Sequence, residues 1–72
     1  MDLHFYVERY KTGELYLYIG RPLRDKNHHL ISRNVYLICD DGDFNLFGLN
    51  PEDYANLKWG DKPVEVFLNM ED

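Results

Sequence analysis

The side chains that could do chemistry in this chain are few, and their spacing does not gather them. His28 and His29 are adjacent, while His4 and Cys39 lie far from them in sequence. Adjacent histidines point in different directions, and no CxxC or HxxxH spacing supports them as ligands of one ion. They read as loop side chains, and Cys39 as a thiol acting like a small buried hydrophobe. Asp40-Asp41-Gly42-Asp43 resembles the opening of a calcium loop, but the later glutamate and the alternating spacing are missing. Ser32 and Thr12 have no histidine at a spacing that predicts contact, so no nucleophile and base can be paired. The five glycines are scattered, which removes a phosphate-cradling loop. These residues point away from catalysis, from a metal site and from any cofactor.

The tyrosines are the more informative set. His4, Tyr6, Tyr10, Tyr16 and Tyr18 fall on one side of a predicted hairpin, with Leu3, Phe5, Val7, Leu15, Leu17 and Ile19 on the other. Two uses of that side follow. It is cross-strand packing with wet hydroxyls, or it is a recognition surface, since exposed Tyr, Trp and Arg concentrate binding energy. In the second case Tyr6, Tyr10, Tyr16 and Tyr18 make the contact, and Arg21 and Arg24 rim it. Single-stranded nucleic acid would use the same side differently. Bases would stack on Tyr6, Tyr16 and Tyr18, and Arg9, Arg21, Arg24 and Lys26 would hold phosphates.

The elements that must position these residues are legible from period and turn chemistry. Leu3, Phe5 and Val7 alternate with His4, Tyr6 and Glu8, and Leu15, Leu17 and Ile19 with Tyr16 and Tyr18, the period of half-buried strands. Between them lies Lys11-Thr12-Gly13, a three-residue loop whose third position needs a left-handed residue, which glycine supplies without steric cost. That loop pairs Tyr10 with Glu14, so Val7 faces Leu17, Phe5 faces Ile19 and Tyr6 faces Tyr18. A two-residue turn would set Val7 against Tyr18 and mix the faces.

Val35, Leu37 and Cys39 form a third alternating set, followed by Asp41-Gly42, a two-residue turn signal. A second hairpin pairing Asp40 with Asp43 sets Cys39 against Phe44, Leu37 against Leu46 and Tyr36 against Phe47. Asn50-Pro51-Glu52-Asp53 then reads as a helix start. Asn50 caps, Pro51 takes the first helical position, and Leu49 and Tyr54 sit where a hydrophobic staple would. The helix should end near Lys58 with Gly60 beyond, Trp59 should plug the core, and Val64, Val66 and Leu68 should form a closing strand. Residues 21–33 show no period and read as a long loop. The prediction is a mainly β fold: five short antiparallel strands in a small SH3-like, partly open barrel or a twisted sheet, with one short helix before the last strand. The likeness to SH3 domains rests on element order alone and carries no ligand preference.

Composition bounds the rest. Seventy-two residues make one small domain, residues 1–72. A single cysteine allows no internal disulfide. Hydrophobic residues make up 44% of the chain, too many for a disordered tail, and no run approaches the roughly 20 apolar residues of a membrane span. Met1-Asp2-Leu3-His4 lacks the basic region of a signal peptide, so the expected location is the cytoplasm, with no membrane partner. The net charge of −5 is divided unevenly, with a basic excess in residues 1–36 and the acidic excess in residues 37–72. That balance argues against a protein that coats DNA or RNA, whose affinity comes from lysine and arginine displacing counterions.

Gly13-Glu14-Leu15-Tyr16-Leu17-Tyr18-Ile19-Gly20-Arg21-Pro22-Leu23-Arg24, with Trp59-Gly60-Asp61-Lys62-Pro63-Val64-Glu65-Val66 later in the chain, resembles short uncharacterised proteins carried on phages and mobile elements of gut bacteria. Those pair a G-x-L-Y-L-Y hairpin with a late tryptophan, a proline and a V-x-V strand. The resemblance implies no activity or cofactor, and it favours a small accessory or host-directed binding protein. The sequence therefore predicts a non-enzymatic module that binds another protein through the tyrosine face or a sheet edge. Edge pairing with a second copy would give a homodimer.

Overall fold

The computed structural model describes residues 3–68. Strands β1 (Phe5–Arg9) and β2 (Leu15–Ile19) form the first hairpin in the predicted register, with Phe5 opposite Ile19, Tyr6 opposite Tyr18 and Val7 opposite Leu17. Tyr10 donates its N–H to Glu14 O at 2.8 Å, and Gly13 takes the left-handed conformation at φ +97°. Strand β3 (Tyr36–Asp40) adds to β2, and the short β4 (Val64–Val66) adds to β1. The order is β3-β2-β1-β4, all antiparallel. Among the described residues it is an open sheet of four strands with both outer edges unpaired, where the sequence predicted five strands and allowed a barrel. Leu68, assigned from sequence to the last strand, lies just beyond β4 but packs on the core.

The missing strand is the predicted partner of β3. Asp41–Phe47 folds as a 3₁₀ helix, and the second hairpin does not form. Local chemistry explains the exchange. The Asp40 side chain accepts from Gly42 N–H at 3.0 Å, capping the helix, while Asp41 and Asp43 sit in its first turn, where the peptide dipoles favour negative charge. A type I′ hairpin turn at Asp41-Gly42 needs positive φ at both residues, and neither has it. Gly48 instead takes φ +74° and closes the helix, with Leu49 N–H reaching Phe44 O at 3.0 Å. The apolar period decides the burial. Phe44 is fully buried and Phe47, three residues on, packs beside the core, whereas Leu46, the residue a strand would have turned inward, is exposed.

The core occupies one face of the sheet. Val7, Leu15, Leu17 and Val66 are buried against Phe44, and Phe47, Leu49, Tyr54 and Leu57 pack around them. Asn50 caps as predicted, accepting from Glu52 N–H at 3.0 Å, but the helix it starts is a single 3₁₀ turn, Pro51–Tyr54, and stops well short of Lys58. Gly60, φ +94°, serves a tight turn in which Asp61 N–H reaches Lys58 O. Arg9 straps this covering segment down. Its Nε donates to Leu57 O at 2.9 Å and its Nη2 to Tyr54 O at 2.8 Å. The resulting molecule is thin, with extents of 39 × 29 × 15 Å.

Candidate functional site

The second face of the sheet carries the tyrosines, and residues 21–33 fold onto it. Their base is closed by a near contact between Gly20 and Asn34. A Cβ on Gly20 would stand 2.4 Å from Asn34 O, and Gly20 has φ +87°, so only glycine fits here. The loop is organised: Ile31 N–H reaches Leu23 O at 2.8 Å, Leu23 N–H reaches Ser32 Oγ at 3.1 Å, and Arg24 and Leu30 form an isolated antiparallel bridge. At the tip, Asp25 Oδ1 accepts from Asn27 and His29 N–H groups. The backbone bond from His29 is the chief cause that holds the Asp25 carboxyl below its ordinary range.

One ion pair fixes the loop to the sheet. Glu8 lies on β1 between Tyr6 and Tyr10, and its side chain is 4% exposed. Arg24 meets it with Nε at 2.9 Å from Oε2 and Nη2 at 2.8 Å from Oε1, a two-pronged contact, while Nη1 donates to His28 O at 3.0 Å. Two adjoining rings lie against the guanidinium, with its carbon 5.2 Å from the Trp59 centroid and 5.8 Å from that of Tyr10. A planar, weakly hydrated cation suits this setting. Hydrogen bonding to Glu8 is the main reason the Arg24 guanidinium is held above its ordinary range. Tyr18, buried beside the pair, has its phenol pushed up chiefly by burial, and the charge of Glu8 adds to the effect.

The tyrosines form a connected row. Tyr18 meets Tyr16 at 6.4 Å between centroids, Tyr16 meets Tyr10 at 5.5 Å, Tyr10 meets Trp59 at 5.3 Å, and Trp59 meets His28 at 5.1 Å. The three contacts nearest β2 and the turn are edge-to-face, the geometry that ring quadrupoles favour. Tyr16 also donates its hydroxyl to Glu14 Oε2 at 2.8 Å, and that bond pushes its phenol up to about 12. Glu14 is correspondingly lowered, by Tyr16 first and Thr12 second.

The structure thus brings Tyr10, Tyr16, Tyr18 and Arg24 together. Tyr6, half-buried, shares their face opposite Tyr18 and Glu65, and Arg21 is exposed at the base of the loop. Arg24 is not a rim residue but the centre of the arrangement. Trp59 is not a core plug: it packs on the tyrosine row and Arg24, across the sheet from Phe44. Arg9 points to the aliphatic side and is engaged with backbone carbonyls, away from the phosphate-holding role considered for it. Glu8 and the ring of His28 are parts of the site that sequence reasoning missed. A carboxylate in the middle of an aromatic stripe does signal a required counter-ion, but nothing local identifies Arg24 as that partner.

No three histidine, cysteine, aspartate or glutamate residues come together as a metal site among the described residues. Cys39 is a free thiol, half-buried, and burial pushes it up. No described helix is long and apolar enough to cross a membrane. Compared with known protein families, with curated proteins and with solved structures, the chain shows no match in any of the three.

Proposed function

We propose that this chain is a non-enzymatic interaction module that binds another protein along the outer side of β3. The observation that carries the reading is the exposure of Tyr36 and Leu37, 64% and 57%, side by side on an edge strand. In register Tyr36 stands opposite Ile19 and Leu37 opposite Tyr18, so the two side chains flank the edge on opposite faces. A strand added there would gain main-chain hydrogen bonds and be gripped on both sides. Natural edges are guarded by lysine, proline, shortness or bulges. Tyr36-Leu37-Ile38-Cys39-Asp40 has neither lysine nor proline, and its one irregularity, the register shift beyond Leu37, leaves Tyr36 and Leu37 themselves in regular pairing.

The nucleic-acid alternative is less well supplied. Two of its four phosphate-holding cations are already engaged, Arg9 by carbonyls and Arg24 by Glu8. A pull-down from native lysate, with and without nuclease, compares the wild type with Leu37→Lys. Leu37 is exposed, so the substitution should leave the circular dichroism spectrum unchanged. A nuclease-resistant partner lost in the variant is the expected result. Capture that survives the substitution defeats the β3 assignment, and capture abolished by nuclease defeats the protein-binding reading in favour of nucleic acid. Light scattering on the purified protein distinguishes a second copy of the chain from a different partner.

A further inference from the structure

We infer that the protein bound along β3 is a second copy of this chain, paired antiparallel about a two-fold axis at Tyr36. The inference rests on the β3 reading above and names its partner. It follows from which backbone groups the edge directs outward.

Bonded and unbonded pairs alternate along an antiparallel ladder. Tyr10 N–H reaches Glu14 O and Gly20 N–H reaches His4 O, so Glu8–Tyr16 and Tyr6–Tyr18 are the bonded pairs between them. Leu15, Leu17 and Ile19 therefore aim their backbone groups towards β3, and Leu15 N–H lies 3.4 Å from Asp41 Oδ2 on that side. Leu17 pairs with Cys39 and Ile19 with Tyr36, which turns the backbone groups of Cys39 and Tyr36 inward. Leu37 is turned outward, and the same alternation turns Val35 outward. Ile38 is the extra residue of the register shift, so regular outward pairing stops at Leu37.

Only one self-pairing uses this edge fully. Opposed residues of an antiparallel pair share a face, whereas Tyr36 and Leu37 lie on opposite faces. Tyr36 therefore cannot oppose the other copy's Leu37, and the two-fold passes through a residue instead of between two. Centred on Leu37, it sets Val35 against Cys39, whose backbone groups already serve β2. Centred on Tyr36, it sets Val35 against the other copy's Leu37 twice over, and both outward residues are bonded. The Tyr36 side chains, each 64% exposed in the single chain, then meet at an unbonded position. There Cα atoms approach to about 4.5 Å and side chains are closest.

Charge and the opposite edge agree with this pairing. Arg33 precedes β3, and Asp40-Asp41 ends it. Antiparallel copies bring the basic end of one beside the acidic end of the other, while parallel copies would set acid against acid. Strand β4 offers a poorer edge. Val64 and Val66 pair inward with Val7 and Phe5, which leaves Glu65 to face outward, and Pro63 precedes the strand. Pairing β3 with itself closes a dimer, whereas β3 on β4 would propagate as a filament.

Light scattering on the full chain, from about 10 μM to about 1 mM, brackets the affinity of so short a ladder. The expected mass rises from 8.6 kDa towards twice that value. In Leu37→Lys the dissociation constant should rise about tenfold or more, since symmetry counts the lost contact with Val35 twice. Register is read by Tyr36→Cys in a Cys39→Ala background, because an unbonded pair suits a disulfide across the axis. Leu46→Cys in the same background, 74% exposed on the 3₁₀ helix, is the control, and circular dichroism verifies each fold. Mild oxidation should link the Tyr36→Cys copies and leave the control unlinked. A wild type that stays monomeric throughout overturns the self-pairing, and so does linkage no greater at position 36 than at 46. A monomer whose lysate capture is still lost in Leu37→Lys leaves the β3 reading standing with a different partner. A dimer indifferent to Leu37→Lys overturns both.

Discussion

The two faces of this sheet are closed by different physics. On one, Val7, Leu15, Leu17 and Val66 meet Phe44, and the segment from Phe44 to Leu57 covers them by shape and apolar area. On the other, a carboxylate on β1 meets a guanidinium from a distant loop, with tyrosines and a tryptophan around them. The first kind of closure is non-directional and tolerant of exchange between similar side chains. The second depends on two named groups, because either charge left alone in a buried place is penalised. A domain this thin has material for one apolar core only, and it secures its other side with a polar clasp.

The largest effect expected from disturbing either face is at Phe44. Phe44→Ala removes the fully buried plug, a change that typically costs about 3–5 kcal/mol. A domain under about 70–80 residues has about 3–5 kcal/mol from its core in total, so the variant should be unfolded at room temperature by circular dichroism. A folded Phe44→Ala protein would mean that the covering segment does not hold the aliphatic face.

Arg24→Ala should come next, near 3 kcal/mol by urea denaturation. That is the lower end for a broken buried pair, because the Arg24 side chain retains 14% exposure. The contrast between the faces sharpens in the double variant. Glu8→Leu with Arg24→Met removes both charges and should recover most of the loss, since a buried pair replaced by apolar residues is often neutral. If the double variant is no more stable than Arg24→Ala, the clasp is not electrostatic and the two faces are alike.

The two faces also differed in how far they could be read from sequence. The first hairpin was legible down to its register, because a strict two-residue alternation and Gly13 in a three-residue loop leave one consistent pairing. The aliphatic covering segment was not. Asp41-Gly42 suits a hairpin turn, and Phe44 and Leu46 suit a strand, but Phe44 and Phe47 suit a 3₁₀ face equally well. The choice was made by the Asp40 cap, the Gly48 closure and the ability of β3 to pair with β2 instead. On the tyrosine face the members of the stripe could be named, but not what lies over them. Glu8 and Arg24 are brought together by a loop without period, and such non-local pairing leaves no mark in spacing. The conversion of Arg24 from a rim residue to a half-buried centre follows from that one contact.

The smallest effect separates the buried part of the tyrosine face from its wet end. The Tyr16–Glu14 bond is exposed, and its consequence is spectroscopic. Tyr16 is raised from an ordinary 10.0 to about 12 by the bond to Glu14. A raised phenol favours the folded state below its unfolded value, and the contribution disappears as pH climbs from 10 through about 12. Glu14, lowered from 4.5, acts in the opposite direction: its contribution is present above that value and is lost as pH falls through the lowered one. Tyrosinate absorbance should therefore show a phenol titrating near 12, and Glu14→Ala should return it toward 10 while the fold persists. Tyr18 and Tyr54 are also raised, but burial is the first cause for both, so their late titration should remain in the variant. If Glu14→Ala leaves every late phenol in place, burial rather than hydrogen bonding governs the whole row, and the exposed end of the tyrosine face is closed as tightly as the centre around Arg24.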